Sequence, residues 1–87
     1  MPAETVSFTL ASAAWTEVAY NAEHVTVATN TTHACAVHAG AAAPELDTAA
    51  YVVVTAARPF ALAGLPAGTR IFARALAASM TAVVVRG

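Results

Sequence analysis

Apolar and polar residues alternate with a period of two in several short segments, which is the pattern of β-strands with one buried face. The clearest segments place these residues on one face: Val6, Phe8 and Leu10; Val25 and Val27; Cys35, Val37 and Ala39; Ile71, Ala73 and Ala75. Eleven valines and eleven threonines lie in short clusters, and β-branched residues prefer pleated surfaces. The pattern predicts strands, although 25 alanines alone would favour helix.

Other segments are less regular but are separated by clear turn signals. Residues 15–20 predict a strand with an irregular entry, residues 51–55 a continuous apolar strand, and residues 81–86 the last strand. The predicted breaks are Asn30-Thr31-Thr32, a loop over residues 40–47, Arg58-Pro59, a tight turn over residues 64–68 and a weak turn over residues 77–79.

This spacing predicts an all-β fold of about seven or eight short strands, with a turn every 8–12 residues. We expect a single antiparallel β-sandwich or small jelly roll spanning residues 1–87, of which residues 1–4 could be disordered. The competing interpretation is a short helix at residues 11–22 or 73–82.

The amino-acid composition indicates that the surface of this domain is unusually apolar. The chain is 59% apolar and 10% charged, with four arginines and no lysine, whereas about 25% of the residues of an ordinary soluble domain are charged. Alanine, threonine and valine must therefore cover much of the exterior. A surface of this kind is usually covered by a partner, so we expect a component of an assembly.

The net charge and the cysteine content argue against several classes of function for this chain. A net charge of −1 argues against nucleic-acid binding and against electrostatic attachment to a membrane. Cys35 is the only cysteine, so an intrachain disulfide cannot form. The first residues lack the features of a secretory signal, and we expect no transmembrane helix.

Candidate catalytic and metal-binding residues do not form a convincing set. His33, Cys35 and His38 have the residue types of metal ligands, but alternation in a strand would point His38 away from the other two. The five acids form no obvious carboxylate pair, and the serines lie outside a nucleophile-elbow motif. We therefore predict no enzyme, no metal and no cofactor.

Arg70, Phe72 and Arg74 form the candidate contact surface, because they share one strand face and arginine and aromatics are enriched at interfaces. A solvent-facing strand carrying two solubilising charges explains them equally well. Tyr51 and Val53 join the candidate interface, since the valine-rich residues 51–55 or 83–85 could pair with another chain as edge strands. We expect Trp15 to fill the core or the space between the sheets.

The C-terminal half also carries a family resemblance. The residues Phe60-x-Leu62-x-Gly64-Leu65-Pro66-Ala67-Gly68-Thr69-x-Ile71-Phe72-Ala73-Arg74-Ala75, followed by Val83-Val84-Val85, resemble small β-sandwich structural proteins of tailed bacteriophages. The segments Trp15-Thr16-Glu17-Val18, Val25-Thr26-Val27 and Ala43-Pro44 extend the resemblance over roughly residues 13–86. The high alanine content, His33 and Cys35 depart from the pattern.

The resemblance implies a virion structural role, as a capsid decoration (cement) protein or a small head-fibre or tail-associated domain. The expected partners are copies of this chain, with a trimer favoured, and the major capsid protein or another virion protein. The expected location is the capsid or tail surface, after synthesis in the host cytoplasm. The alternative is a receptor- or carbohydrate-binding module of a head or tail fibre, which would need several exposed aromatics in one groove.

Overall fold

The computed structural model describes residues 3–77 and 79–87, which form eight β-strands and no helix. The strands are β1 (Glu4–Leu10), β2 (Thr16–Tyr20), β3 (His24–Ala28), β4 (Cys35–Gly40), β5 (Val52–Val54), β6 (Phe60–Ala63), β7 (Arg70–Ala75) and β8 (Met80–Arg86). The predicted all-β class is confirmed, and the alternative helices at residues 11–22 and 73–82 are wrong as far as the described residues extend. None of these residues builds a helical membrane span.

The strands form two four-stranded antiparallel sheets, in the orders β1-β8-β3-β6 and β2-β7-β4-β5. Each early strand pairs with a late one: β1 with β8, and β2 with β7. This strand order is that of a jelly roll, an antiparallel fold of eight strands in two sheets built from two Greek keys. The two sheets share one buried core, as expected for a single β-sandwich domain.

The core consists mostly of small side chains from the predicted inward faces. Its buried members are Leu10, Val18, Ala19, Val25, Val27, Cys35, Val37, Val54, Ile71, Ala73, Ala75, Met80, Ala82 and Val84. Alternation correctly predicts the inward positions in β1, β3 and β7. Ala39 shares the face of Cys35 and Val37 as expected, since it lies opposite the inward Ile71, but it is exposed near the end of β4.

Two predicted turns are confirmed, for different reasons. The main chain bends at residues 30–32, where the hydroxyl of Thr29 accepts a hydrogen bond from the Thr31 amide at 3.2 Å and that of Thr31 accepts one from the His33 amide. The turn between β6 and β7 contains Gly64 and Gly68 with φ of 66° and 87°. Glycine adopts this left-handed conformation without the steric cost of a Cβ.

A β-bulge in β2 ties the two sheets together. The register of β2 against β7 shifts between Glu17 and Ala19, which leaves Val18 outside the regular pairing. The Val18 carbonyl instead accepts a hydrogen bond of 2.6 Å from Nη1 of Arg86, which lies in β8 of the other sheet. Arg86 also donates from Nε to Glu4 at 2.8 Å. The irregular entry predicted for this strand is thus a bulge that receives an inter-sheet hydrogen bond.

One of the two predicted edge segments, residues 83–85, is not an edge in the structure. Residues 83–85 lie in β8, which is paired on both sides, with β1 and with β3. They are therefore not an edge, whereas β5, within the predicted segment 51–55, does end its sheet. The break at Arg58-Pro59 falls where the chain passes from β5 to β6 in the other sheet. The weak turn over residues 77–79 includes Ala78 and so lies partly outside the described residues.

Cys35 is fully buried in the core, and this burial raises the pKa of its thiol. In the unfolded chain the thiol ionises near its usual pKa of about 8.5. The folded state therefore retains a proton that the unfolded state loses, so the free energy of unfolding falls as pH rises.

We predict that, in urea denaturation under reducing conditions, the free energy of unfolding declines as pH rises above about 8.5, by at most about 1.4 kcal/mol per pH unit from this group. The Cys35→Ala variant, measured in parallel, should lose that part of the slope. An identical pH dependence in both proteins would show that the thiol is not the cause.

Candidate interaction surface

The candidate interface residues lie on the side of the β2-β7-β4-β5 sheet that points away from the core, here called the outer face. Its side chains are Glu17, Tyr20, Ala36, His38, Val53, Arg70, Phe72 and Arg74. Arg70, Phe72 and Arg74 alternate along β7 with the inward Ile71, Ala73 and Ala75, as the sequence predicts. Val53 lies opposite Ala36 on the neighbouring strand, so the sheet brings it to the same face.

An aromatic cluster occupies the middle of the outer face. The His38 ring lies 6.5 Å from that of Phe72 and 6.1 Å from that of Trp15, and Trp15 lies 6.4 Å from Tyr51. All three pairs are tilted, as aromatic quadrupoles prefer. Trp15 thus packs outside the sandwich, and its predicted place in the core or between the sheets is wrong.

Two hydrogen bonds from this cluster fasten the segment between β4 and β5. The indole Nε1 of Trp15 donates to the Glu45 carbonyl at 3.2 Å, and Nδ1 of His38 donates to the Ala50 carbonyl at 2.6 Å. These bonds hold residues 45–50 close to the outer face. Phe72, whose ring lies against His38, is only 5% exposed, so it supports the surface from below rather than presenting its ring to a partner.

Gly40 gives the His38 ring the space it occupies. A Cβ at position 40 would lie 3.0 Å from Nε2 of His38, which is closer than ordinary van der Waals contact. The missing side chain therefore leaves room for the imidazole in the position from which its Nδ1 reaches the Ala50 carbonyl.

The two arginines of β7 have different environments. Arg74 donates from Nη1 to the Ser12 carbonyl at 3.1 Å and lies 5.3 Å from the centre of the Trp15 ring; its buried Nε has no hydrogen-bond partner among the described residues. Arg70 forms a 2.7 Å ion pair with Glu17 and lies 4.3 Å from the centre of the Tyr20 ring. The hydrogen bond to Glu17 is the main cause that raises the pKa of the Arg70 guanidinium.

The residues considered as metal ligands lie in three separate environments. Cys35 is in the core, His38 is on the outer face and His33 is exposed before β4 begins. Within the described residues, no group of three or more His, Cys, Asp or Glu side chains is placed to hold a metal ion.

Comparison with known proteins found no matching family model, no matching curated protein and no matching solved structure. The interpretation of the surface therefore rests on its own geometry.

We predict that Trp15→Phe loosens the segment between β4 and β5, because phenylalanine keeps an aromatic ring but cannot donate to the Glu45 carbonyl. Loss of a hydrogen bond that contributes about 1 kcal/mol raises the equilibrium constant for local opening of the segment approximately fivefold. Cleavage after Glu45 by a glutamate-specific protease should accelerate by about that factor. Tyr20→Phe, on the same face but outside the cluster, is the matched control and should leave the rate unchanged; equal rates for Trp15→Phe and the parent chain would refute the fastening role.

Proposed function

We propose that this chain is a non-enzymatic structural subunit that associates with copies of itself on a larger particle, as a capsid decoration protein of a tailed phage does. The observation that carries the proposal is the grouping of exposed apolar side chains. Six large apolar side chains are exposed in the described part of the chain, and four of them, Leu46, Tyr51, Val52 and Val53, lie on β5 or in the segment leading to it.

The β5 strand is suited to association because it is an edge protected only by its short length of three residues. It pairs with β4 on one side only. Edge strands usually carry charges, proline or bulges that prevent pairing with another chain. Residues 48–57 contain no Asp, Glu, Lys, Arg or Pro, so this edge offers free backbone groups beside exposed valines.

The neighbouring part of the outer face extends this surface with side chains typical of interfaces. Tyr51 joins the β5 edge to Trp15, and Trp15 lies beside Arg74. Aromatic residues and arginine are enriched where proteins associate. A standard interface buries about 800 Å² per partner, roughly a sixth of the 4893 Å² accessible surface of this small domain.

The choice of particle and of oligomer rests on the sequence resemblance to phage β-sandwich proteins, which favours a trimer on the capsid. The jelly-roll strand order agrees with that choice, since jelly rolls are frequent in viral capsid domains. In a closed trimer, contacts are heterologous, so β5 of one copy would meet a different surface of the next.

We predict that the purified chain is oligomeric by light scattering, with a mass near three times the 8.8 kDa of one chain. Val53→Lys should shift it to a monomer, because it places a charge on the β5 edge that a partner would have to desolvate. Val53 is 47% exposed, so the substitution should leave the fold intact by circular dichroism.

Val85→Lys is the matched control. Val85 is also an exposed valine, at 39%, but lies in the central strand β8 of the other sheet. It should leave the mass unchanged. A monomeric parent chain, or equal dissociation by both lysines, would contradict the proposal.

A further inference from the structure

Four of the nine charged side chains of this protein (four arginines and five acids) meet at one corner of the sandwich. Glu4 pairs with Arg86 at 2.8 Å and Glu17 pairs with Arg70 at 2.7 Å. Tyr20 lies between the two pairs, at the end of β2. In a chain so poor in charge, this concentration is the most polar feature that the described residues form.

The corner is concave. Two adjoining depressions of about 370 and 310 Å³ share Glu4, Tyr20 and Arg86 as lining residues. The first is completed by Ala3, Asn21, Ala22 and Gly87, the second by Glu17 and Ala19. Their volumes fall in the lower part of the range of small-molecule sites, about 300–1,000 Å³.

Tyr20 provides an aromatic platform in this cleft. Its side chain is 54% exposed, the highest value among the large apolar residues that the structure describes as exposed. The Arg70 guanidinium lies 4.3 Å from the ring centre and so covers part of the ring. The exposed part carries the negative potential of an aromatic face, on which the weakly positive C–H groups of a sugar ring can pack.

Asn21 adds a hydrogen-bond donor of fixed orientation. Its φ of 59° is in the left-handed region, and its Oδ1 accepts a 2.9 Å hydrogen bond from the Gly68 amide. Because the carbonyl oxygen is engaged by the turn, the amide can offer the ligand its Nδ2 hydrogens. Arg86 is held in place by the Val18 carbonyl and by Glu4, so the polar groups are arranged before a ligand binds.

We propose that this cleft is a binding site for a neutral saccharide. Sugar hydroxyls both donate and accept, and here carboxylates that accept stand beside guanidinium and amide groups that donate. Glu4 and Glu17 are each paired with an arginine, although Arg70 itself lines neither depression, so the side chains of this corner carry no net charge to attract an anionic or a cationic ligand. The platform of Tyr20 between these groups matches a sugar ring with an apolar face and a polar rim.

The position of the cleft is compatible with the proposed assembly, although the saccharide site does not depend on it. Tyr20 lies on β2 and the apolar edge is β5, and these strands form opposite edges of the same sheet. Subunits that associate through β5 would keep the cleft exposed when β5 meets a surface of the next copy other than its β2 edge. Several copies on one particle could then bind a repetitive glycan with increased avidity.

The test is an NMR titration of the isotope-labelled full chain with named probes: glucose, galactose, mannose, N-acetylglucosamine and cellobiose, and, as anionic probes, glucuronic acid and N-acetylneuraminic acid. Concentrations should exceed about 1 mM, the weak end of specific binding. We expect at least one neutral probe to shift the resonances of Tyr20, Asn21 and Ala22 in a saturable manner.

Tyr20→Ala should weaken that binding about tenfold or more, as truncation of an aromatic anchor does. His33→Ala, which removes an exposed ring outside both the cleft and the β5 edge, is the matched control and should bind as the parent chain does. Absence of saturable shifts with every neutral probe, binding of the anionic probes alone, or equal affinity of Tyr20→Ala and the parent would each overturn the proposal. Saccharide binding by a monomeric chain would support this site while contradicting the proposed assembly.

Discussion

The small size of the side chains between the two sheets is the constraint on which the rest of this structure depends. The largest fully buried residues are Leu10 and Ile71, and the others are mainly valines and alanines. Small side chains bury little area each, so the stability of the core depends on all eight strands contributing to it. In the described structure no aromatic residue belongs to the buried inter-sheet core; Phe8 and Phe60 pack only against its margin.

The aromatic residues left outside that core determine the character of the surface. Trp15, His38 and Phe72 form a second packing layer that fastens the segment between β4 and β5. The two edges of the same sheet then differ sharply. The β5 edge exposes valines without charges, whereas the β2 edge gathers two ion pairs around Tyr20. One edge is suited to association and the other to a polar ligand.

The local sequence pattern predicted the strands well, because the alternation of apolar and polar residues reflects which face of each strand is buried. It placed Arg70, Phe72 and Arg74 on one face and identified the turn at residues 64–68 from its glycines. It could not predict that residues 83–85 occupy a central strand, because strand order depends on pairing between distant segments. The β1–β8 pair, for example, joins Glu4 to Arg86.

The proximity of residues that are far apart in the sequence also explains why the two proposed functional surfaces were only partly predictable. Trp15 was expected in the core because a large apolar side chain usually lies there, but this core has space only for smaller groups. Tyr51 and Val53 were identified as edge residues, while their proximity to Trp15 and Ala36 follows from the sheet order. The Tyr20 cleft combines residues 4, 17, 20 and 86, with Arg70 against the Tyr20 ring, and no local motif could indicate it.

The central claim is that the bare β5 edge is covered by a neighbouring chain, and amide hydrogen exchange of the assembled parent protein tests it most directly. Amides of residues 52–54 that do not donate to β4 should be protected in the assembly and should exchange rapidly in a monomer with a lysine at position 53. Rapid exchange of these amides in the parent protein, while those of the central strand β8 remain protected, would contradict the account.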